Sequence, residues 1–203
     1  MPNQRRVLLP FALTALAAAT HANAQNVLEE IIVTAEKRES SLQDTPIAVS
    51  AFSQESLDKN LIFNAMDMQF SVPNMLMSKG NFTGATISLR GIGQTAVGSA
   101  ADAPVGIHMN GVYLNAPRIF ETGFLDVERV EVLRGPQGTT YGRNTTGGVI
   151  NMITAKPQLD EFSGAIEASL GSYSETEARG HINVPLGDGA ALRLGGYSMS
   201  RDG

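Results

Sequence analysis

The sequence predicts a mixed α+β domain, with a small sheet and short helices, followed by further antiparallel strands. After Asn74, short apolar runs alternate with glycines and small polar residues, which favours strands and turns. Two short helical patterns precede these runs. After Pro157, three segments of about ten residues alternate apolar with small or polar side chains, as transmembrane strands do. A soluble antiparallel sheet has the same pattern.

The amino terminus has the layout of a cleavable signal peptide. Arg5 and Arg6 precede an apolar run, and Ala22-Asn23-Ala24 supplies an A-x-A cleavage site, so we expect residues 1–24 to be removed. The run is also too short to span a membrane. Residues 25–45 are polar and charged apart from one apolar island, which predicts a flexible segment.

Local signals place the first elements of the domain. The segment "TPIAVSAF" alternates with the period of a strand. Ser53 is a suitable N-cap for a short helix over residues 54–59. Asn64 can cap another short helix, which must end before Val72 because the residue preceding a proline is pushed out of the α region.

Further strands are predicted in "ATISLRG", "VERVEVLRG" and "GGVINMIT". Asn110-Gly111 suits the positive φ angles of a type I′ turn, so we expect a hairpin between Val105–Met109 and Val112–Asn115. The glycine-rich runs "RGIGQTAVG" and "RGPQGTTYGRNTTGG" lack the lysine of a phosphate-binding loop, and tight turns are their expected role.

Composition and motifs argue against several classes of function. The formal net charge of −5 disfavours a nucleic-acid partner. The chain has no cysteine and three scattered histidines, so we expect no metal site and no cofactor. None of the common catalytic motifs is present, and we therefore expect no catalytic residues and no enzyme activity.

Three motifs carry a resemblance to a known family. These are "EEIIVTA" just after the leader, "ISLRGIG", and "FLDVERVEVLRGPQGTTYGRNTTGGVINMITAKP". In this order and spacing they closely resemble the plug domain of TonB-dependent outer-membrane receptors. The resemblance implies an α+β plug domain over residues 46–157, and over residues 158–203 the first two or three antiparallel strands of an incomplete transmembrane β-barrel.

The resemblance also implies a function. Such receptors take up a scarce ligand, for example a siderophore or a vitamin, across the bacterial outer membrane, with the plug gating the barrel. The plug lies in the barrel lumen, and a TonB box in the periplasm pairs its backbone with the energy transducer TonB. The alternative, from a different class, is a soluble periplasmic β-rich binding or scaffold module.

The apolar island resembles the TonB box. β-Branched residues favour the extended geometry that strand addition to a partner sheet requires. The alternative is an ordinary strand that folds into the domain. The residues that the resemblance implies for TonB binding are Glu30, Ile31, Ile32, Val33, Thr34 and Ala35.

Two arginines align with plug arginines that pair with glutamates of the barrel wall in related receptors. They are Arg90 in "LRGIG" and Arg134 in "LRGPQG". Solvated strand ends, or pairing of Arg134 with Glu128 or Glu131, are the alternatives. Outward loops contact ligand in the family, and the candidates here are Asn81, Phe82, Asn115, Arg118 and Phe120.

Receptors of this family close a barrel of about 22 strands around the plug. An unclosed sheet leaves backbone groups unsatisfied in hydrocarbon, and we therefore expect this chain to be the truncated amino-terminal part of a longer receptor.

Overall fold

The computed structural model describes residues 31–34, 40–80, 84–93, 103–115 and 123–202. Within these ranges the chain forms thirteen strands, two short α-helices and one 3₁₀-helix. The helices are α1 (Gln54–Lys59), the 3₁₀-helix (Asp67–Phe70) and α2 (Gly138–Tyr141). The strands are β1 (Ile32–Val33), β2 (Ser40–Ser41), β3 (Val49–Ser53), β4 (Met75–Gly80), β5 (Gly84–Leu89), β6 (Ile92–Gly93), β7 (Val105–Met109), β8 (Val112–Tyr113), β9 (Val127–Arg134), β10 (Gly148–Thr154), β11 (Ser163–Leu170), β12 (Thr176–Gly187) and β13 (Ala190–Ser200).

Five strands form the central sheet, in the order β3-β9-β10-β7-β8. β9 pairs antiparallel with β3 and β10, whereas β10 pairs parallel with β7. β7 and β8 form a hairpin whose turn residues Asn110 and Gly111 have φ angles of 50° and 79°. Positive φ at both positions is characteristic of a type I′ turn. The predicted hairpin is therefore confirmed.

The main core lies on one face of the central sheet. Because successive strand residues point to opposite faces, Val130 and Val132 of β9 lie on this side together with Ile150 of β10. All three are fully buried. Helices and a second sheet, of order β4-β5-β6, cover this face with buried apolar side chains: Leu57, Met68, Met75, Met77, Ile87 and Leu89.

The predicted cap at Ser53 is present, whereas the second helix begins later than predicted. The Ser53 hydroxyl accepts a hydrogen bond from the backbone N–H of Ser56 at 3.3 Å, where α1 begins. Asn64 Oδ1 accepts from the N–H of Met66 at 2.8 Å and from that of Asp67 at 3.3 Å. The second helix is a single 3₁₀ turn whose N-cap is Met66, so Asn64 lies two residues before the cap and bonds to the N–H groups at the start of the turn.

The three segments after Pro157 are strands, as predicted, and form the antiparallel outer sheet β11-β12-β13. On one face Ile166, Ile182 and Leu194 expose 87, 39 and 56% of their surface. The opposite face carries charged side chains that contact the rest of the molecule. The buried Asn183 joins the sheet to the preceding linker, because its Nδ2 donates to the carbonyls of Gln158 and Glu161 at 2.9 and 2.6 Å.

A short amino-terminal hairpin covers the other face of the central sheet. β1 pairs antiparallel with β2, and Val33 is fully buried in what we call the small cluster, with Leu133, Tyr141 and Val149. Among the described residues, no helix has the length and apolar character needed to cross a membrane.

Candidate functional site

Residues 31–34, which we call the box segment, lie in extended conformation against the central sheet. The carbonyl of Ile31 accepts a hydrogen bond from the N–H of Leu42 at 2.9 Å, and Val33 is opposite Ser40 in the β1–β2 ladder. In an antiparallel ladder the backbone groups of alternate residues point to opposite edges. Those of Ile32 and Thr34 therefore point away from β2.

Glu131, in the middle of β9, binds the box segment at Thr34, on the edge that points away from β2. Its side chain is completely buried. The Thr34 N–H donates to Glu131 Oε1 at 2.7 Å, and the Thr34 hydroxyl lies 3.2 and 3.3 Å from the two carboxylate oxygens. Arg129 Nε donates to the same carboxylate at 2.9 Å. A buried carboxylate is tolerated when it is paired and hydrogen-bonded in this way.

Tyr141, at the end of α2, holds the same edge from a second direction. Its hydroxyl donates to the Thr34 carbonyl at 3.3 Å, and its ring packs against Val33 in the small cluster. Burial, together with the nearby charge of Glu131, raises the pKa of Tyr141 to about 12. The hydroxyl therefore keeps its proton at neutral pH and remains a donor.

The docked box segment differs from the exposed, flexible tether expected from the sequence. The difference has a physical cause, because Val33 fits an apolar recess and both main-chain groups of Thr34 have side-chain partners. Ile32 keeps 49% of its side chain exposed. Glu30 and Ala35 lie outside the described residues, and the binding role of the six positions stays a prediction.

The fold brings the two predicted arginines to one end of the central sheet. The Arg90 Nη1 lies 3.1 Å from where a Cβ on Gly135 would be placed, next to Arg134. Gly135 also has a φ of +108°, so glycine suits both the space and the backbone.

The alternative partners of Arg134 are occupied elsewhere. Glu128 and Glu131 both pair with Arg129. Within the described part of the chain, the buried Nε of Arg134 has no hydrogen-bond partner.

Of the ligand-contact candidates, Asn115 alone lies in the described ranges. It is exposed and comes two residues after β8. Asn81, Phe82, Arg118 and Phe120 lie outside the described residues, so ligand contact by these five side chains stays a prediction.

Comparison with known proteins identifies the family. Residues 41–149 match the family described as the TonB-dependent Receptor Plug Domain. The chain belongs to this plug domain family. The resemblance inferred from the motifs is thus confirmed, and the alternative of an unrelated periplasmic module is not favoured.

Two relatives and one solved structure place the plug among named receptors. The chain is 31% identical to an iron-regulated outer membrane virulence protein of Vibrio cholerae, covering 92% of this chain and 30% of the relative. It is 31% identical to the pesticin receptor of Yersinia pestis, and the match covers 96% of this chain and 29% of that receptor. The crystal structure of the ferric yersiniabactin uptake receptor FyuA from Yersinia pestis matches with a TM-score of 0.63 and 29% sequence identity. The match covers 70% of this chain and 22% of that receptor chain. The chain thus spans about 30% of the length of the curated relatives.

Sequence reasoning missed a second set of charged contacts, which joins the plug to the outer sheet. Arg193 of β13 binds Asp126 through two hydrogen bonds, of 2.7 and 2.6 Å, and His181 Nδ1 lies 3.6 Å from the same carboxylate. The hydrogen bond to Asp126 raises the pKa of Arg193. Arg179 of β12 reaches Asp58 of α1 at 3.2 Å.

These contacts have the reverse polarity to the predicted ones, since the plug supplies the carboxylates and the outer sheet the arginines. They border a cavity of about 420 Å³ between the two parts. The single arginine in each of β12 and β13 is visible in the sequence, but its partner, more than sixty residues away, is not.

Proposed function

We propose that this chain supplies the TonB-binding segment and the plug of an outer-membrane receptor that takes up a scarce ligand, powered by TonB. The observation that carries the proposal is an extended segment, residues 31–34, docked on one face of the central sheet of a plug-family domain. TonB would pair with this segment and pull on the plug, which opens a path through the barrel. The proposal assigns the chain transport and no catalysis.

The names of the relatives support a class of ligand for this proposal. One relative is named as iron-regulated, and a similar structure is named as a receptor for ferric yersiniabactin. A ferric chelate is therefore the first ligand to test, and Asn81, Phe82, Asn115, Arg118 and Phe120 are the proposed contacts. We propose that the plug lies in the lumen of a barrel in the outer membrane, with the box segment on the periplasmic side.

A proline at Ile32 tests the role of the box segment. Proline removes a backbone donor and fixes φ, so Ile32→Pro should abolish binding of the carboxy-terminal domain of TonB and ligand uptake, while ligand binding stays unchanged. Ile32→Ser is the matched control, because it makes the same exposed side chain polar but keeps the N–H. Equal uptake by the proline variant and the parent contradicts the proposal.

We also propose that Arg90 and Arg134 pair with carboxylates of the barrel wall. The buried Nε of Arg134, which has no hydrogen-bond partner among the described residues, supports this role, because a buried N–H group requires a hydrogen-bond acceptor. Replacing both arginines by methionine keeps the apolar stems and removes the charges. In the receptor carrying this chain, we expect faster hydrogen exchange across the plug and increased leak. If protection from hydrogen exchange and leak through the receptor are both unchanged, the two arginines are solvated strand ends and the proposed pairing is wrong.

A further inference from the structure

The box segment is closed at both edges in this structure. One edge pairs with β2, and at the other edge Thr34 gives its N–H to Glu131 and its carbonyl to the Tyr141 hydroxyl. A strand that added along the Thr34 edge would need these same two groups, because strand addition relies on main-chain N–H and C=O. A partner strand and the two side chains therefore compete for the same atoms.

We infer that Glu131 and Tyr141 form a clasp that mimics a neighbouring strand at Thr34 and sets how readily TonB gains the box segment. Glu131 takes the place of a strand carbonyl, and the Tyr141 hydroxyl takes the place of a strand N–H. The partner part of this inference rests on the proposed function of residues 31–34. Both side chains act as positioning residues, since they act by holding Thr34.

The two halves of the clasp differ in strength. Glu131 accepts a short bond from the Thr34 N–H and lies near its hydroxyl, and a charged acceptor makes such bonds stronger than neutral ones. Tyr141 contributes one neutral bond at 3.3 Å. Loss of the charge at Glu131 should therefore release the segment more than loss of the hydroxyl at Tyr141.

The clasp can also open without leaving an unpaired charge buried in the interior. Arg129 remains bonded to Glu131 when Thr34 leaves. The carboxylate is buried beneath the box segment, so water gains access to it as the segment lifts away. On release, the carboxylate of Glu131 replaces its hydrogen bonds with Thr34 by hydrogen bonds with water, which makes the clasp reversible.

Two conservative substitutions test the clasp in the whole chain. Glu131→Gln removes the charge and keeps the shape, and Tyr141→Phe removes the hydroxyl and keeps the ring in the small cluster. Without partner, we expect hydrogen exchange at the Thr34 amide to rise on the order of tenfold for Glu131→Gln and roughly threefold for Tyr141→Phe. Affinity for the purified carboxy-terminal domain of TonB should rise by similar factors.

Each variant has a matched control that leaves Thr34 untouched. Glu128→Gln removes the other carboxylate bonded to Arg129. Tyr113→Phe removes a hydroxyl that accepts from Asn144 instead of bonding to Thr34. Slow exchange at the buried residues Val130 and Val132 verifies that the central sheet is intact. Should Glu131→Gln melt that sheet, Tyr141→Phe decides the question.

The outcomes separate this inference from the proposed function. Unchanged Thr34 exchange in both clasp variants overturns the clasp. If TonB affinity is unchanged in both variants while Ile32→Pro still abolishes binding, the side chains do not compete with TonB for Thr34. The proposed function then still holds. TonB binding that persists in Ile32→Pro overturns the proposed role of residues 31–34 as the TonB-binding segment, while hydrogen exchange at Thr34 still decides whether the clasp exists.

Discussion

The two faces of the central sheet are covered in different ways. Among the described residues, the main core on one face contains eighteen buried apolar residues contributed by elements along most of the plug. The small cluster on the other face contains four, and Val33 is the member supplied by the box segment. A polar clasp at Thr34 completes this second cover.

This difference separates a permanent core from a detachable one. Regions with few buried apolar contacts open at lower free energy than the global fold. The main core cannot lose one of its elements without exposing much of its apolar surface. The small cluster can lose residues 31–34 while β9 and β10 keep their pairing with each other.

The largest expected effect comes from a matched pair of truncations, one on each face. Ile150 and Val33 are both fully buried, in the main core and the small cluster respectively. Ile150→Ala should cost about 2–5 kcal/mol of global unfolding free energy, because it leaves a cavity that closes incompletely. Val33→Ala should cost about 1–2 kcal/mol, from the lost burial of two methyl-sized groups, and should act mainly on docking of the box segment.

Urea unfolding reports the global cost, and hydrogen exchange at Thr34 reports the local one. Ile150→Ala should lower the urea midpoint clearly, whereas Val33→Ala should leave it nearly unchanged and accelerate exchange at Thr34. Equal shifts of the urea midpoint would mean that both faces belong to one cooperative core, and the contrast between them would be lost.

Local signals explain which parts of the fold the sequence predicts. The Ser53 cap, the Asn110-Gly111 turn and the strand β9 each depend on residues close together in the chain, and all three are present. β4 was not predicted, although Met75 and Met77 are buried and Leu76 is exposed, because three similar apolar residues in a row hide the alternation. The parallel pairing of β10 with β7 is non-local and has no signature in either strand.

The same reasoning applies to the candidate site. Extended geometry of the box segment follows from its β-branched residues, and Ile32 and Val33 are indeed a strand. Its docking depends on Glu131, which is 97 residues away from Thr34 in the chain. Within "VERVEV" nothing distinguishes Glu131 from Glu128, yet one is buried and the other is 43% exposed. Only the packing of the hairpin decides which carboxylate holds the segment.

The smallest expected effect concerns pH and applies to the detachable face alone. Burial, followed by the charge of Glu131, raises the pKa of Tyr141 from the ordinary value of 10.0 to about 12. Release of the box segment uncovers the hydroxyl and lowers its pKa toward the ordinary value, so in this range the released form loses the proton more readily than the docked form. Docking stability is therefore fully present below about pH 10 and decreases as the pH rises toward about 12.

A spin label can follow this release, because the chain has no native cysteine and Ile32→Cys offers a unique, exposed attachment point. The mobile fraction of the label should grow across this alkaline range in the parent and in Tyr113→Phe. It should show no such titration in Tyr141→Phe, where the ring stays but the ionisable hydroxyl is gone. A titration that survives in Tyr141→Phe would assign the release to another group, and the two faces would then differ in apolar burial but not in their response to pH.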